Sequence, residues 1–192
     1  MKKFLPKTIS LIGVVSLLTF MPHSVQALPT VTQVAQANSE QIFQQGLDKI
    51  DAGDYKEAAE LLTKALELNP KDPEAYYNRA IAFAQLSEYE KAIADYSQVL
   101  QLTPNDEEAY YNRGLARAEL ADDEGAIADF TQVLQRKSDY AEAYYNRALA
   151  RAELSDDKRA IEDFQTAASL FAKQGKKDQA EQALALIKKL QP

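Results

Sequence analysis

Arginine, aspartate, asparagine and tyrosine recur in this 192-residue chain at spacings that could do chemistry. Arg79, Arg113 and Arg147 stand 34 residues apart, and Asp95, Asp129 and Asp163 follow them by 16 each time. A guanidinium row could bind an anion, but a carboxylate at a fixed offset is better read as its structural ion-pair partner. Gln45 and Leu61 occupy the corresponding places one period earlier, so both partners are absent together. Asn78, Asn112 and Asn146 directly precede the arginines, and an amide there could hold a bound segment or bond its own neighbours. The usual catalytic sets are missing. There is no Cys, and the only His is His23. That excludes the common nucleophile–base pairs and His-type zinc sites once the N-terminal segment is removed. The acids Asp122-Asp123-Glu124 and Asp156-Asp157 lack the alternating ligands and turn glycine of a calcium loop. They suit the start of a helix instead. No Gly-rich phosphate loop is present. No enzyme activity, cofactor or metal is expected.

The elements that must position these residues show themselves as a repeat. EEAYYNRGLARAEL at 107–120 returns as AEAYYNRALARAEL at 141–154, and EAYYNRAIAFAQL stands at 74–86. A 34-residue frame fits four times, at 39–72, 73–106, 107–140 and 141–174, and such a period is the mark of a stacked repeat architecture. In the second frame Tyr76, Ala80 and Phe83 form one apolar stripe, and Tyr89, Ala92, Ile93, Tyr96 and Leu100 another. The first recurs at i, i+4 and i+7 and the second at i, i+3, i+4, i+7 and i+11, each the spacing of an amphipathic helix. Leu86-Ser87-Glu88 between them leaves room only for a tight turn, so each frame is an antiparallel helical hairpin. Frame position 7 then lies level with position 23 or 24, which sets Arg79, Arg113 and Arg147 opposite Asp95, Asp129 and Asp163. Asn69-Pro70 and Thr103-Pro104 end second helices, and Pro73 opens a first helix. One hairpin cannot bury both faces, so the hairpins stack on a shared core. Residues 175–192, with the stripe Ala180, Ala183, Leu184 and Ile187, are expected to cap that stack.

The N-terminus follows different rules. Lys2, Lys3 and Lys7 precede an apolar run from Ile9 to Phe20 and a small-residue exit at Val25-Gln26-Ala27. This reads as a secretory signal peptide, residues 1–27, cleaved after Ala27. The run is shorter than the ~20 residues that span a bilayer. Export to a periplasm or equivalent lumen is expected. Residues 28–38 carry no charge and are expected to form a flexible leader. Losing three of the 22 basic groups and none of the 29 acidic ones leaves the mature chain at −10. Nucleic acid and anionic lipid are therefore poor partners.

These frames resemble the tetratricopeptide repeat (TPR) family and its exported bacterial members. The second carries Tyr76, Ala80, Phe83, Ala92, Tyr96 and Pro104; the third Tyr110, Gly114, Ala126 and Phe130; the fourth Tyr144, Ala148, Ala160 and Phe164. The first is divergent, with Ile42, Gly46, Ala58, Leu62, Ala65 and Pro70. The arginines at frame position 7 depart from the family's Leu, and Ser138 stands where Pro is usual. The resemblance implies an all-α solenoid coiled as a right-handed superhelix, with first helices lining its concave side. Tyr76, Tyr110 and Tyr144 are expected in the core. Phe43 and Leu47, Tyr77 and Ile81, Tyr111 and Leu115, and Tyr145 and Leu149 are then a groove ribbon, or rings that only stack between hairpins. Glu40, Glu74, Glu108 and Glu142, with Asp51, Gln85, Glu119 and Glu153, flank it. Asn78, Asn112 and Asn146 resemble part of the family's carboxylate clamp, but the cations that such a clamp needs are replaced by Tyr, Ile and Leu.

The expected function is a noncatalytic scaffold that binds a protein segment in its groove and serves an exported or membrane-associated complex. The expected partner is a protein or peptide with apolar anchors and basic flanks, not nucleic acid or a small-molecule substrate. The alternative is a structural or self-associating solenoid subunit of a larger assembly.

Overall fold

The structure, a computed structural model, describes residues 30–191, so the signal peptide and its cleavage site lie outside the described residues. These fold into helices α1 (Val31–Asp51), α2 (Tyr55–Leu68), α3 (Pro73–Gln85), α4 (Tyr89–Leu102), α5 (Glu107–Glu119), α6 (Asp123–Arg136), α7 (Ala141–Glu153), α8 (Asp157–Lys173) and α9 (Lys177–Leu190). Each helix packs on the next, giving the hairpins α1/α2, α3/α4, α5/α6 and α7/α8, with α9 laid on α8. The described residues contain no strand, and none of their helices is long and apolar enough to cross a membrane.

Local chemistry sets the helix ends. Asp72 accepts hydrogen bonds from the Glu74 and Ala75 amides, with Pro73 in the first turn, and Asp106, Asp122 and Asp156 cap α5, α6 and α8. These side chains satisfy amides that a helix start leaves without partners. The turn inside each hairpin closes by a bond from the sixth residue to the first, as from Glu88 N to Phe83 O at 2.8 Å and from Asp122 N to Arg117 O at 2.9 Å. That geometry needs a left-handed residue. Gly53 supplies it in the first hairpin, whereas Ser87, Ala121 and Ser155 adopt φ of 59°, 56° and 58°. The α8–α9 connection uses the same turn, with Gly175 in the left-handed position and Lys176 N donating to Phe171 O.

The core alternates small and large. Ala80, Ala116, Ala148 and Ala150 on the first helices let the second-helix rings of Tyr96, Phe130 and Phe164 pack with at most 2 % exposure. At Gly114 a Cβ would come within 2.9 Å of the Phe130 ring, so the backbone itself makes the contact.

Three expectations change. Helix α1 starts at Val31, so 31–38 is helical where a leader was expected. No breaker stands between Pro29 and Gly46, and lack of charge does not prevent a helix. Ser39 fastens this end, buried and donating to Ala65 O at 2.9 Å. Tyr76, Tyr110 and Tyr144 are half-buried at the rim of the core, each under a guanidinium 5.5–5.6 Å from its ring centre. The fully buried large rings sit on the second helices instead. Finally, α9 buries Ala180, Ala183 and Ile187, while Leu184 is 48 % exposed.

Candidate functional site

The arginine and aspartate rows meet as forks between the helices of each hairpin. Arg79 Nε and Nη2 donate to the Asp95 carboxylate at 2.7 and 2.8 Å; Arg113 reaches Asp129 at 2.9 and 2.7 Å, and Arg147 reaches Asp163 at 2.8 and 2.9 Å. The aspartates are buried. Each third nitrogen reaches back to the preceding hairpin, where Nη1 donates to Thr63, Ser97 or Thr131 at 2.9–3.0 Å. Those hydroxyls donate in turn to the carbonyls of Ala59, Ile93 and Ile127. One guanidinium thus clasps three helices. Sequence reasoning missed the hydroxyls, although Thr63, Ser97 and Thr131 precede the arginines by the same 16 residues that separate arginine from aspartate. It also missed Arg117 and Arg151, which add second bonds to Asp129 and Asp163 at 2.9 and 2.6 Å. With all three nitrogens of each guanidinium bonded inward, Arg79, Arg113 and Arg147 are committed to structural partners rather than to an anion.

The asparagines and tyrosines form a ladder along the first helices. Asn112 Nδ2 donates to the Tyr77 hydroxyl at 2.7 Å, and Asn146 Nδ2 to the Tyr111 hydroxyl at 2.9 Å. Asn78 would need a hydroxyl at position 43; Phe43 has none, and the amide donates to Glu74 O at 2.8 Å. The Tyr77 hydroxyl donates to Glu108 Oε2 at 3.3 Å. Burial, then the charge of Glu108, keeps the Tyr77 hydroxyl protonated well above the usual tyrosine range. Burial together with Tyr140 and Glu142 pushes Tyr111 up to about 12.

The tyrosine rings also stack, as the plainer reading holds. Tyr77 packs edge-on to Tyr96, Tyr111 on Phe130, and Tyr145 on Phe164, with ring centres 5.4–5.8 Å apart. Phe43 is 6 % exposed and belongs to a core cluster with Leu62 and Ala75. Leu47, Ile81 and Leu115 are half-buried and Leu149 is exposed. Two depressions gather much of the ribbon. One, of about 390 Å³, is lined by Phe43, Leu47, Tyr77 and Asn78 with Glu74, Asp106 and Glu108. The other, of about 530 Å³, is lined by Ile81, Asn112 and Leu115 with Gln85 and Glu119. Neither lining contains Lys or Arg. Tyr111, Tyr145, Asn146 and Leu149 line neither depression. Among the described residues no group of three or more His, Cys, Asp or Glu is placed to hold a metal.

The tetratricopeptide repeat model matches residues 43–107, 89–138 and 111–174. The chain belongs to the tetratricopeptide repeat family. Among solved structures, the first TPR of Spaghetti (RPAP3) bound to the HSP90 peptide SRMEEVD is 27% identical, covering 62% of this chain and 95% of that one at a TM-score of 0.60. The Arabidopsis OM64 TPR domain is 26% identical, covering 62% and 98% at 0.59. MamA from Desulfovibrio magneticus RS-1, at 22% identity, covers 81% and 94% at 0.64 and shares the fold. The tetratricopeptide solenoid is thus a protein-interaction scaffold by family.

Proposed function

We propose that this tetratricopeptide protein is a noncatalytic scaffold whose concave face binds an extended or helical segment of another protein, within an exported or membrane-associated complex. One observation carries the reading. Aliphatic and aromatic side chains line two depressions flanked by carboxylates, with no cation in either lining. Partly apolar depressions rimmed by one sign of charge favour apolar anchors between Lys or Arg flanks. The RPAP3 domain binds a peptide ending in Glu-Glu-Val-Asp. Such an acidic end would meet repulsion here, so the peptide-binding use carries over and the ligand's charge does not. The basic, then apolar, N-terminal sequence supports export to a periplasm or equivalent lumen.

Ile81 and Leu115 are the clean probes, because Tyr111 also stacks on Phe130 and Tyr140. An Ile81→Ser, Leu115→Ser double variant with an unchanged thermal melt is expected to lose the protein captured by wild type from the exported fraction of its source. Equal capture by both would move binding to another surface. A second reading rests on Leu184, exposed on the terminal helix where a polar cap was expected. It makes the solenoid a self-associating subunit, and sedimentation of a monomer at high concentration would end it.

A further inference from the structure

We propose that the depression between Phe43, Tyr77 and Glu108 is a receptor for one lysine or arginine side chain of the bound segment; this rests on the groove reading above. The argument comes from the repeat itself. Shifting the depression by one 34-residue period replaces Thr103 and Asp106 with Lys137 and Tyr140. There Tyr140 stacks on Tyr111 with ring centres 4.9 Å apart, and the Lys137 ammonium lies 4.9 Å above the Tyr140 ring. A second shift puts Lys176 at the place of Glu108 and Phe171 at that of Thr103. Lys176 Nζ bonds Glu142 Oε1 at 2.5 Å and lies 5.8 Å from the Phe171 ring centre.

In each of the two later intervals an ammonium of the chain itself thus lies against an aromatic ring, and in the last it also bonds a glutamate. The first interval keeps the glutamates, has Asp106 and Thr103 where the later rings Tyr140 and Phe171 stand, and has Phe43 and Tyr77 but no cation among its lining residues. Glu74, Asp106 and Glu108 set three carboxylates around about 390 Å³, with Phe43 and Tyr77 also in the lining. Asp106 spends one oxygen on capping α5 through the Ala109 amide, and Glu108 accepts one bond from Tyr77. Acceptor capacity remains on all three. A cation there would gain carboxylate bonds and a ring face together. Its apolar stem would lie against Leu47.

The test is an amide NMR titration of the full chain with a capped pentapeptide carrying one central lysine between leucines. The same peptide with norleucine at the centre is the control. The lysine peptide is expected to shift the amides of Asn78, Asp106 and Glu108 and to bind at least about tenfold more tightly than the norleucine peptide, a difference of about 1.4 kcal/mol. A Glu74→Gln, Glu108→Gln variant should erase that difference, and Glu142→Gln should keep it, since Glu142 already holds Lys176. Equal binding of both peptides, with shifts at Ile81 and Leu115, would overturn the cation receptor and leave the groove standing. Shifts outside the groove, or none with either peptide, would overturn both.

Discussion

At the scale of residues, the arginine clasps decide more than any other contact. A buried charge stripped of its partner is costlier than the loss of the whole set. Asp129 holds both Arg113 and Arg117, whereas Asp95 holds Arg79 alone, because Phe83 stands where the second arginine would be. Asp129→Ala is therefore expected to cost about 3–5 kcal/mol, and Asp95→Ala less, measured as denaturant midpoints. Replacing Asp129, Arg113 and Arg117 together with Leu, Gln and Phe should recover most of the loss; additive losses would contradict the clasp. Much of this was legible in sequence, because a 16-residue offset repeated three times with a joint absence carries geometric information. The hydroxyls were legible too, at the same offset on the other side, but Thr and Ser are read as surface residues unless a partner is sought. Glu142 gives a pH signature. Burial alone would raise its pKa, but the Lys176 hydrogen bond carries it below the ordinary value of 4.5. A depressed carboxylate contributes stability that is full above its unfolded value and fades as pH falls through the folded one. Glu142→Gln should flatten the acid limb of melting temperature against pH and leave the neutral limb nearly parallel to wild type.

At the scale of elements, the hairpin turns are where sequence and backbone disagree. Ser87, Ala121 and Ser155 hold left-handed conformations that glycine takes in the first hairpin. A non-glycine residue in that region is held there at a cost of roughly 1 kcal/mol. Ala121 is exposed, so Ala121→Gly is expected to stabilise by about 0.5–1 kcal/mol, read as a raised melting temperature. No change would mean that glycine's unfolded-state entropy cancels the relief. The hairpins themselves were readable because their apolar stripes keep helical spacing on either side of a three-residue turn. The reach of α1 was not, since two valines, Val31 and Val34, among Thr, Gln, Ala and Asn at 30–38 are too few to mark a helical stripe, and nothing there breaks one. Its anchor, the Ser39 bond to Ala65 O, lies 26 residues away and follows from packing alone. Phe43, which lines a depression, is buried more deeply than Tyr77, Tyr111 and Tyr145 for a related reason. Its frame position faces the groove in other repeats, but the first hairpin has Leu62 where later ones have Tyr96, Phe130 and Phe164, and Phe43 settles into the space.

At the scale of the whole molecule, a solenoid's stability is close to a sum over repeats and their interfaces. The interfaces here are unequal. The hairpins α3/α4, α5/α6 and α7/α8 each carry a clasp that also ties back to the hairpin before, while α1/α2 has no internal clasp and is held from outside by the Arg79 bond to Thr63. Helix α9 packs chiefly on α8, with Glu181 where a further arginine would fall. Local opening should then run from the ends inward. Amide exchange is expected to be slowest in α4 to α6 and faster by at least tenfold in α1 and α9, a step of about 1.4 kcal/mol in opening free energy. Uniform protection from α1 to α9 would mean that the apolar core outweighs the clasps. The Asp129→Ala variant separates the two cases further. If the clasps set the order, losing the central one should split a single unfolding transition into two, with the α1–α4 and α7–α9 ends melting apart. If the core sets it, the transition should stay single and only move. The lysine receptor is lined by Phe43 and Leu47 of α1 together with residues of α3 and α5, so a segment bound there would brace the one hairpin without a clasp of its own, and its binding should slow exchange in α1 and α2 more than anywhere else.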